Sequence, residues 1–196
     1  FEGLLMIAYQ AVPTALIFFL LLLVVMAALI DLAQCRIPNT LVIWGLLLAF
    51  AVRYHYLGIS GLLQGLGGMC VGFFVFLPLY IMGGLGAGDV KLMATIGSFL
   101  DPIQALMAVV FSINAATILG VGYLLLKGGG RAYLGRYTQM VKALSVTGRW
   151  IYIPPAPGEA AAHRFPLAGA IAIGTVIVVY YYYPGFFSII SDGRAL

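Results

Sequence analysis

The chain has 196 residues, of which 63% are hydrophobic and only 8% are charged. Soluble domains are about 45–50% apolar and about 25% charged, so this composition excludes an ordinary soluble domain and a disordered chain. The net charge of +4 comes from 10 basic and 6 acidic residues, too sparse for a nucleic-acid-binding surface. We therefore predict an all-α, polytopic integral membrane protein, in contact with lipids, with a single transmembrane domain over residues 1–196.

Six apolar segments are candidates for membrane-spanning helices, which need about 20 apolar residues to cross about 30 Å of hydrocarbon. They are residues 12–30, 41–52, 62–82, 90–100, 103–126 and 167–183. The fourth has only 11 residues, and it is either a short span or a half-helix that returns. If it crosses, eight of the ten basic residues share one side, and only Arg53 and Arg194 lie opposite. The positive-inside rule therefore favours six spans with both termini outside.

Residues 127–166 form the one polar stretch of the chain. We expect a cytosolic loop there, with an interfacial helix over residues 131–150. Before the fifth span, Asp101 is a natural N-cap, and Pro102 is favourable at the first helical position.

Asp31 follows a run of 19 uncharged residues, at the end of the first predicted span. A carboxylate at the C-terminal end of a helix meets the negative end of the macrodipole, so helix capping does not explain it. Pro38 fixes a turn after it, and Asn39 is the expected N-cap of the next helix. Taken alone, Asp31 is equally well explained as a marker of the membrane interface.

Asp89 lies in the glycine-rich segment GGLGAGDVK, residues 83–91. Glycines such as Gly86 and Gly88 allow positive φ and close backbone approach, and Asp89 is expected at the N-terminus of a helix. Taken alone, this is a glycine turn followed by a cap. Because Lys91 follows the Asp and no Ser or Thr adjoins it, a phosphate-binding loop is a poor alternative.

Asp31 and Asp89 become more informative together. Each adjoins an odd-numbered predicted span that runs in the same direction, so both are expected at the same membrane face. Two carboxylates that share a site cannot both ionise easily, so one keeps a proton. Such a pair titrates as a unit, and it can activate a water molecule while it polarises a peptide carbonyl. We predict no metal and no cofactor.

The remaining candidate nucleophiles and bases have weaker positions. His55 is expected outside and His163 in the polar loop, and neither has an evident orienting partner. Cys35 has no local base and is interpreted as a small buried or interfacial residue, and Cys70 as a core residue of the third span.

Two segments carry a resemblance to a known family. Residues 31–39, DLAQCRIPN, resemble the D-x-x-x-x-[basic]-I-P-N segment of the type IV prepilin peptidases. Residues 86–92, GAGDVKL, are similar to that family's G-x-G-D-[aliphatic]-K-[apolar] segment. The specific match covers about residues 30–100.

The resemblance implies an integral membrane aspartic endopeptidase of the GxGD type, which removes the basic leader of prepilins and pseudopilins after a Gly. It implies a multi-pass protein of the bacterial or archaeal cell membrane, with its active site facing the cytosol. Asp31 and Asp89 correspond to the catalytic aspartates. The motif and substrate-binding positions that the resemblance implies are Gly86, Gly88, Lys91, Arg36, Pro38 and Asn39.

The larger members of that family carry a cytosolic zinc segment between the first spans and also methylate the new N-terminus. Only Cys35 lies between the first two predicted spans here, which puts methyltransferase activity in doubt. The chain is similar to the short form associated with tight-adherence (Flp-type) pili. Neither the particular prepilin nor an oligomeric state follows from the sequence.

Two other classes of function remain open. A small transporter would use Asp31 and Asp89 as a proton or cation relay, although the further polar groups in the predicted spans are few: Gln64, Ser112, Asn114 and Thr117. A non-catalytic assembly factor would not need the two aspartates to be close. Within proteases, a preflagellin peptidase or a presenilin-like protease would share the chemistry, and the I-P-N segment favours the prepilin branch.

Overall fold

A computed structural model describes residues 2–126, 130–148 and 167–186. Its helices are α1 (Glu2–Gln34), α2 (Asn39–Ile81), α3 (Ala87–Phe99), α4 (Pro102–Leu126), α5 (Gly130–Thr147) and α6 (Leu167–Tyr182). No strand occurs in the part of the chain that the structure describes.

Three helices contain segments long and apolar enough to cross a membrane, and α6 is a shorter apolar helix. The segments are Thr14–Gln34, Asn39–Ile81 and Pro102–Tyr123. The expected all-α membrane protein is confirmed, whereas the count of six spans and the location of the termini stay predictions.

The long helix α2 consists of two antiparallel arms, residues 39–57 and 59–81. Gly58 between them has φ 64° and ψ −148°, which is not helical. A straight helix would separate residues 53 and 65 by about 18 Å, yet a Cβ atom built on Gly65 would lie 2.7 Å from Cδ of Arg53. The chain therefore reverses at Gly58, and α2 brings its second end back to the end at which it began.

The short helix α3 lies at the centre of the molecule. Ten of its 13 residues are buried, and its largest contact is with α2. At 1.5 Å per residue α3 is only about 20 Å long, so it is shorter than the hydrocarbon layer. The predicted span at residues 90–100 is thus a buried helix surrounded by longer ones.

Glycines on the second arm of α2 let α3 approach it closely. A Cβ atom on Gly68 would collide with the carbonyl oxygens of Gly97 and Leu100, and one on Gly97 would collide with the carbonyl of Gly68. Gly72 likewise lies against the backbone of Met93. Small residues at a helix interface permit this backbone contact in membranes, so the glycines of the third predicted span have a packing role.

Arg53 holds together the ends of three helices, in what we call the Arg53 cluster (Arg53, Ser98, Phe99, Asp101). Its Nε donates to the carbonyl of Ser98 at 2.9 Å, and its Nη2 donates to the carbonyl of Phe99 at 3.0 Å and to Oδ1 of Asp101 at 3.2 Å. Arg53 is only 2% exposed, so it lies within the protein, and the side of the membrane on which it lies stays a prediction. Its cation satisfies the last carbonyls of α3.

Asp101 occupies the predicted N-cap position, and α4 begins at Pro102 as expected. Gln104, three residues later, accepts the N–H of Asp101 at 3.3 Å through Oε1, and the same oxygen accepts the hydroxyl of Tyr183 at 3.0 Å. The carboxylate of Asp101 faces Arg53. The polar groups of Arg53, Asp101 and Gln104 at this end of the molecule therefore bind one another or nearby backbone.

Helix α6 packs on α4 and α1. A Cβ atom on Gly174 would collide with backbone and side-chain atoms of Ser112, and Ser112 Oγ donates to the carbonyl of Ile171 at 3.4 Å. This close approach fixes the position of α6 relative to α4.

Helix α5 occupies most of the range in which an interfacial helix is predicted. Its position at a membrane interface and the cytosolic loop at residues 127–166 stay predictions, because much of that loop lies outside the described residues. His163 also lies outside them.

We predict that Gly68→Ala destabilises the protein, because the added methyl must displace the backbone of α3. Overpacking of this kind costs about 1–3 kcal/mol. Thermal unfolding of the purified protein in detergent measures the effect. Gly122→Ala is the matched control, because a Cβ atom there meets nothing within 4 Å; equal unfolding midpoints for the two variants would contradict the packing role.

We also predict that Arg53→Met lowers the free energy of unfolding by at least about 2 kcal/mol, because it leaves the carbonyls of Ser98 and Phe99 without their donor. The same measurement applies. Arg36→Met is the control, since Arg36 is exposed and makes no hydrogen bond within the described residues. Similar stability of both variants would show that water replaces the guanidinium without cost.

Candidate active site

Asp31 lies in the last turn of α1 and is buried, with 6% of its surface exposed. The helix ends just after it, where Cys35 adopts φ 49° and donates its N–H to the carbonyl of Asp31 at 2.8 Å. A left-handed residue after the last turn is a common helix stop. Cys35 itself is exposed, so it is not a buried residue, and its position at the membrane interface stays a prediction.

The carboxylate of Asp31 finds its hydrogen-bond donor on a distant helix. Its Oδ2 accepts the backbone N–H of Ala168 at 3.0 Å. Ala168 is the second residue of α6, and the N–H groups of a first helical turn have no acceptor within their own helix. The helix N-terminus also carries partial positive charge, so this contact compensates the unfavourable position of Asp31 at the end of α1.

The glycine segment before Asp89 begins with a tight helix stop. Gly83, with φ 77°, donates to the carbonyl of Tyr80, and Gly84 donates to the carbonyl of Leu79, both at 2.9 Å. This is the Schellman arrangement that ends α2. Of the glycines at residues 83–88, only Gly83 has a positive φ.

Asp89 is the third residue of α3, and Gly86 is its N-cap. The carboxylate Oδ2 of Asp89 accepts the N–H of Gly86 at 3.0 Å. Gly86 has φ −82°, so it does not use the positive φ that a glycine allows. Its lack of a side chain matters instead, since a Cβ atom would lie 3.1 Å from that oxygen.

The two motif segments contact each other directly. A Cβ atom on Gly88 would lie 3.3 Å from Cβ of Ile37, and Lys91 Nζ donates to Oδ1 of Asn39 at 3.0 Å. The expectation that Asn39 caps the second helix is wrong, because Pro38 is the N-cap and Asn39 is the first helical residue. Its amide is bound to Lys91 on α3.

The two carboxylates, 58 positions apart (89 − 31), lie in one electrostatic environment. Asp89 precedes the predicted span at residues 90–100 and lies outside the three candidate spanning segments. Burial raises the pKa of Asp89 from its ordinary 3.8 to about 6; the hydrogen bond from Gly86 opposes this increase, and the negative charge of Asp31 adds to it. With a pKa of about 6, Asp89 holds its proton mainly below about pH 6, and a pair of carboxyl groups that shares one proton can supply both a base and an acid.

The other predicted site residues surround this pair less closely. Arg36 and Lys91 are exposed, and Pro38 is half-buried.

Cys70 is half-buried and lines an apolar groove of about 370 Å³ that also includes Lys91, so its expected place in the core is wrong. His55 is exposed at the end of the molecule that holds the Arg53 cluster. Among the described residues, no three His, Cys, Asp or Glu side chains lie together as metal ligands would.

The contact between Asp31 and Ala168 was not predicted from the sequence. A backbone N–H can belong to almost any residue, so residue type does not reveal it. The one available signal was indirect: an unfavourably placed carboxylate such as Asp31 requires a donor from elsewhere.

The model of the type IV leader peptidase family matches residues 16–123, more than half of the chain. The matched range includes Asp31 and Asp89 and leaves α5 and α6 outside it. No curated protein and no solved structure matches the chain.

We predict that Asn39 and Lys91 stabilise the fold as a pair. In a double-mutant cycle of Asn39→Ala and Lys91→Met, the coupling free energy should be about 0.5 kcal/mol, because the hydrogen bond is exposed. Thermal unfolding of the two single variants and the double variant measures it. Strictly additive effects would show that the two side chains do not stabilise each other.

Proposed function

This chain belongs to the type IV leader peptidase family, and we propose that it is an aspartic endopeptidase that removes the leader of prepilins with Asp31 and Asp89 as its catalytic residues. Family membership makes it a membrane-embedded peptidase with prepilins as its general class of substrate. The aspartic mechanism, its two catalytic residues and the place of cleavage are proposals.

One observation carries the assignment: both aspartates are buried, and the charge of one acts on the other. Burial of two neighbouring carboxylates is costly, so a protein rarely keeps such a pair without a use. The packing of Ile37 on Gly88 supports the same reading, because it brings the two motif segments together.

The proposed chemistry needs no further group. The ionised member of the pair removes a proton from a water molecule, and the hydroxide adds to the scissile carbonyl. The protonated member donates to the carbonyl oxygen as it becomes an oxyanion. The tetrahedral intermediate then expels the amine, which takes the proton that the base had removed, and the C–N bond breaks.

The position of the pair suits a substrate that is partly in the bilayer. Both aspartates adjoin helix ends, opposite the end that holds the Arg53 cluster. A prepilin would place its apolar helix beside the protein and its leader at the interface. We propose cleavage after a Gly at the cytosolic face, with the exposed loop at residues 83–88 available to pair with extended substrate backbone.

The alternative, a small transporter in which the two aspartates relay protons or cations, receives less support. The hydroxyls of Thr95 and Thr175 bind carbonyls of their own helices, and Ser112 binds that of Ile171. These bonds do not form a polar path from the aspartates across the described helices. The family match favours the peptidase.

We predict that Asp31→Asn and Asp89→Asn each lower the rate of prepilin cleavage at least about hundredfold, because each removes one of the two groups that transfer protons. Purified variants and a prepilin substrate, followed by the appearance of the shortened product, provide the measurement. Asp101→Asn is the matched control, since Asp101 lies at the other end of α3 and is 45% exposed.

The parent protein and Asp101→Asn should cleave at similar rates. Near-parent cleavage by either Asp31→Asn or Asp89→Asn would exclude the proposed pair. Ion transport by reconstituted protein in the absence of any peptide, lost in the same two variants, would favour the relay instead.

A further inference from the structure

Asp31 and Asp89 obtain their hydrogen bonds in different ways. Asp89 accepts an N–H from Gly86, three residues earlier in the same turn. Asp31 lies at the C-terminal end of α1, where the nearby N–H groups already bind carbonyls; that of Cys35, for example, binds the carbonyl of Asp31. Its carboxylate therefore depends on a donor from another part of the chain.

We propose that the backbone N–H of Ala168, at the start of α6, positions the carboxylate of Asp31 for catalysis by donating to its Oδ2. This inference rests on the proposed function. It assigns a role to a segment that lies outside the range matched by the family model, and to an atom rather than to a side chain.

The contact is buried and well placed to orient a carboxylate. Ala168 is 1% exposed and Asp31 is 6% exposed, so water competes little for the hydrogen bond of 3.0 Å between them. Hydrogen bonds to charged groups are among the stronger ones in proteins. With Oδ2 held, Oδ1 of Asp31 makes no hydrogen bond within the described residues, which leaves it available to a water molecule.

The donor is held in place by packing that does not involve the aspartates. Helix α6 is fixed against α4 by the close approach of Gly174 and Ser112, about two turns from Ala168. Ala170 and Ile171 are also buried. Ala168 therefore presents its N–H from a docked helix, and Asp31 adjusts to it.

The test removes this one N–H. Ala168→Pro deletes the donor, and proline is tolerated in the first turn of a helix. The loss of one hydrogen bond to a charged group should lower kcat about ten- to a hundredfold, with KM for a prepilin substrate changed less than about twofold. Leu167→Pro is the matched control: it places proline one residue earlier in the same helix, and its kcat should remain close to that of the parent.

Two further variants separate positioning from folding. Ala168→Gly keeps the N–H, so its kcat should exceed that of Ala168→Pro at least about tenfold. Replacing Ala168 by its α-hydroxy analogue exchanges the N–H for an oxygen with almost no change in shape, so it should reproduce the low kcat even if the proline variant does not fold. The ester variant should unfold at a somewhat lower temperature than the parent, because a buried carboxylate loses its donor, and it should remain folded under the conditions of the assay.

The results expected for the Ala168 variants can be told apart from a failure of the proposed catalytic pair. If the ester variant cleaves at the rate of the parent while Asp31→Asn does not cleave, the positioning role is wrong and the catalytic pair stands. A rise in KM with unchanged kcat would also overturn the positioning role, because it would place Ala168 in substrate binding. If Asp31→Asn cleaves normally, the catalytic pair itself is wrong.

Discussion

The arrangement of this protein depends on the burial of two neighbouring carboxylates at one end of a helical bundle. Like charges in a poorly solvated site repel each other and lose hydration, so each needs compensation. Asp89 receives it from the N-terminus of its own helix and from Gly86, and Asp31 receives it from Ala168 on α6. The site thus rests on backbone N–H groups, and within the described residues neither carboxylate has a cationic partner.

The opposite end of α3 holds a buried positive charge instead of buried carboxylates. There a buried cation, Arg53, meets the carbonyls at the end of α3 and the carboxylate of Asp101. Glycines between these two ends, such as Gly68 and Gly97, bring the backbones of α2 and α3 together. A short central helix is therefore fixed along its length and at its far end, and its N-terminal turn presents Asp89.

Much of this could be predicted from sequence, because hydropathy and the two motifs are local patterns. Two separate apolar segments, residues 41–52 and 62–82, predicted the reversal that the structure places at Gly58. The order and direction of the predicted spans led us to expect Asp31 and Asp89 at the same membrane face, and contact between them did not follow from the sequence. The contacts of Arg53, Asn39 and Ala168 could not be predicted, because each joins residues more than 40 positions apart. Burial of Arg53 also contradicts the usual exposure of its residue type, and only packing reveals it.

The hydrogen bond from Ala168 has a consequence for the order in which the protein is made. Synthesis proceeds from the N-terminus, so α1 and α3 exist in the nascent chain well before residue 168 has been added. Until then Asp31 lacks the donor that orients its carboxylate, although every residue of both motifs has already been translated. A newly made molecule would become a working protease only when α6 docks, which delays proteolysis until residues 167–182 have been synthesised and packed.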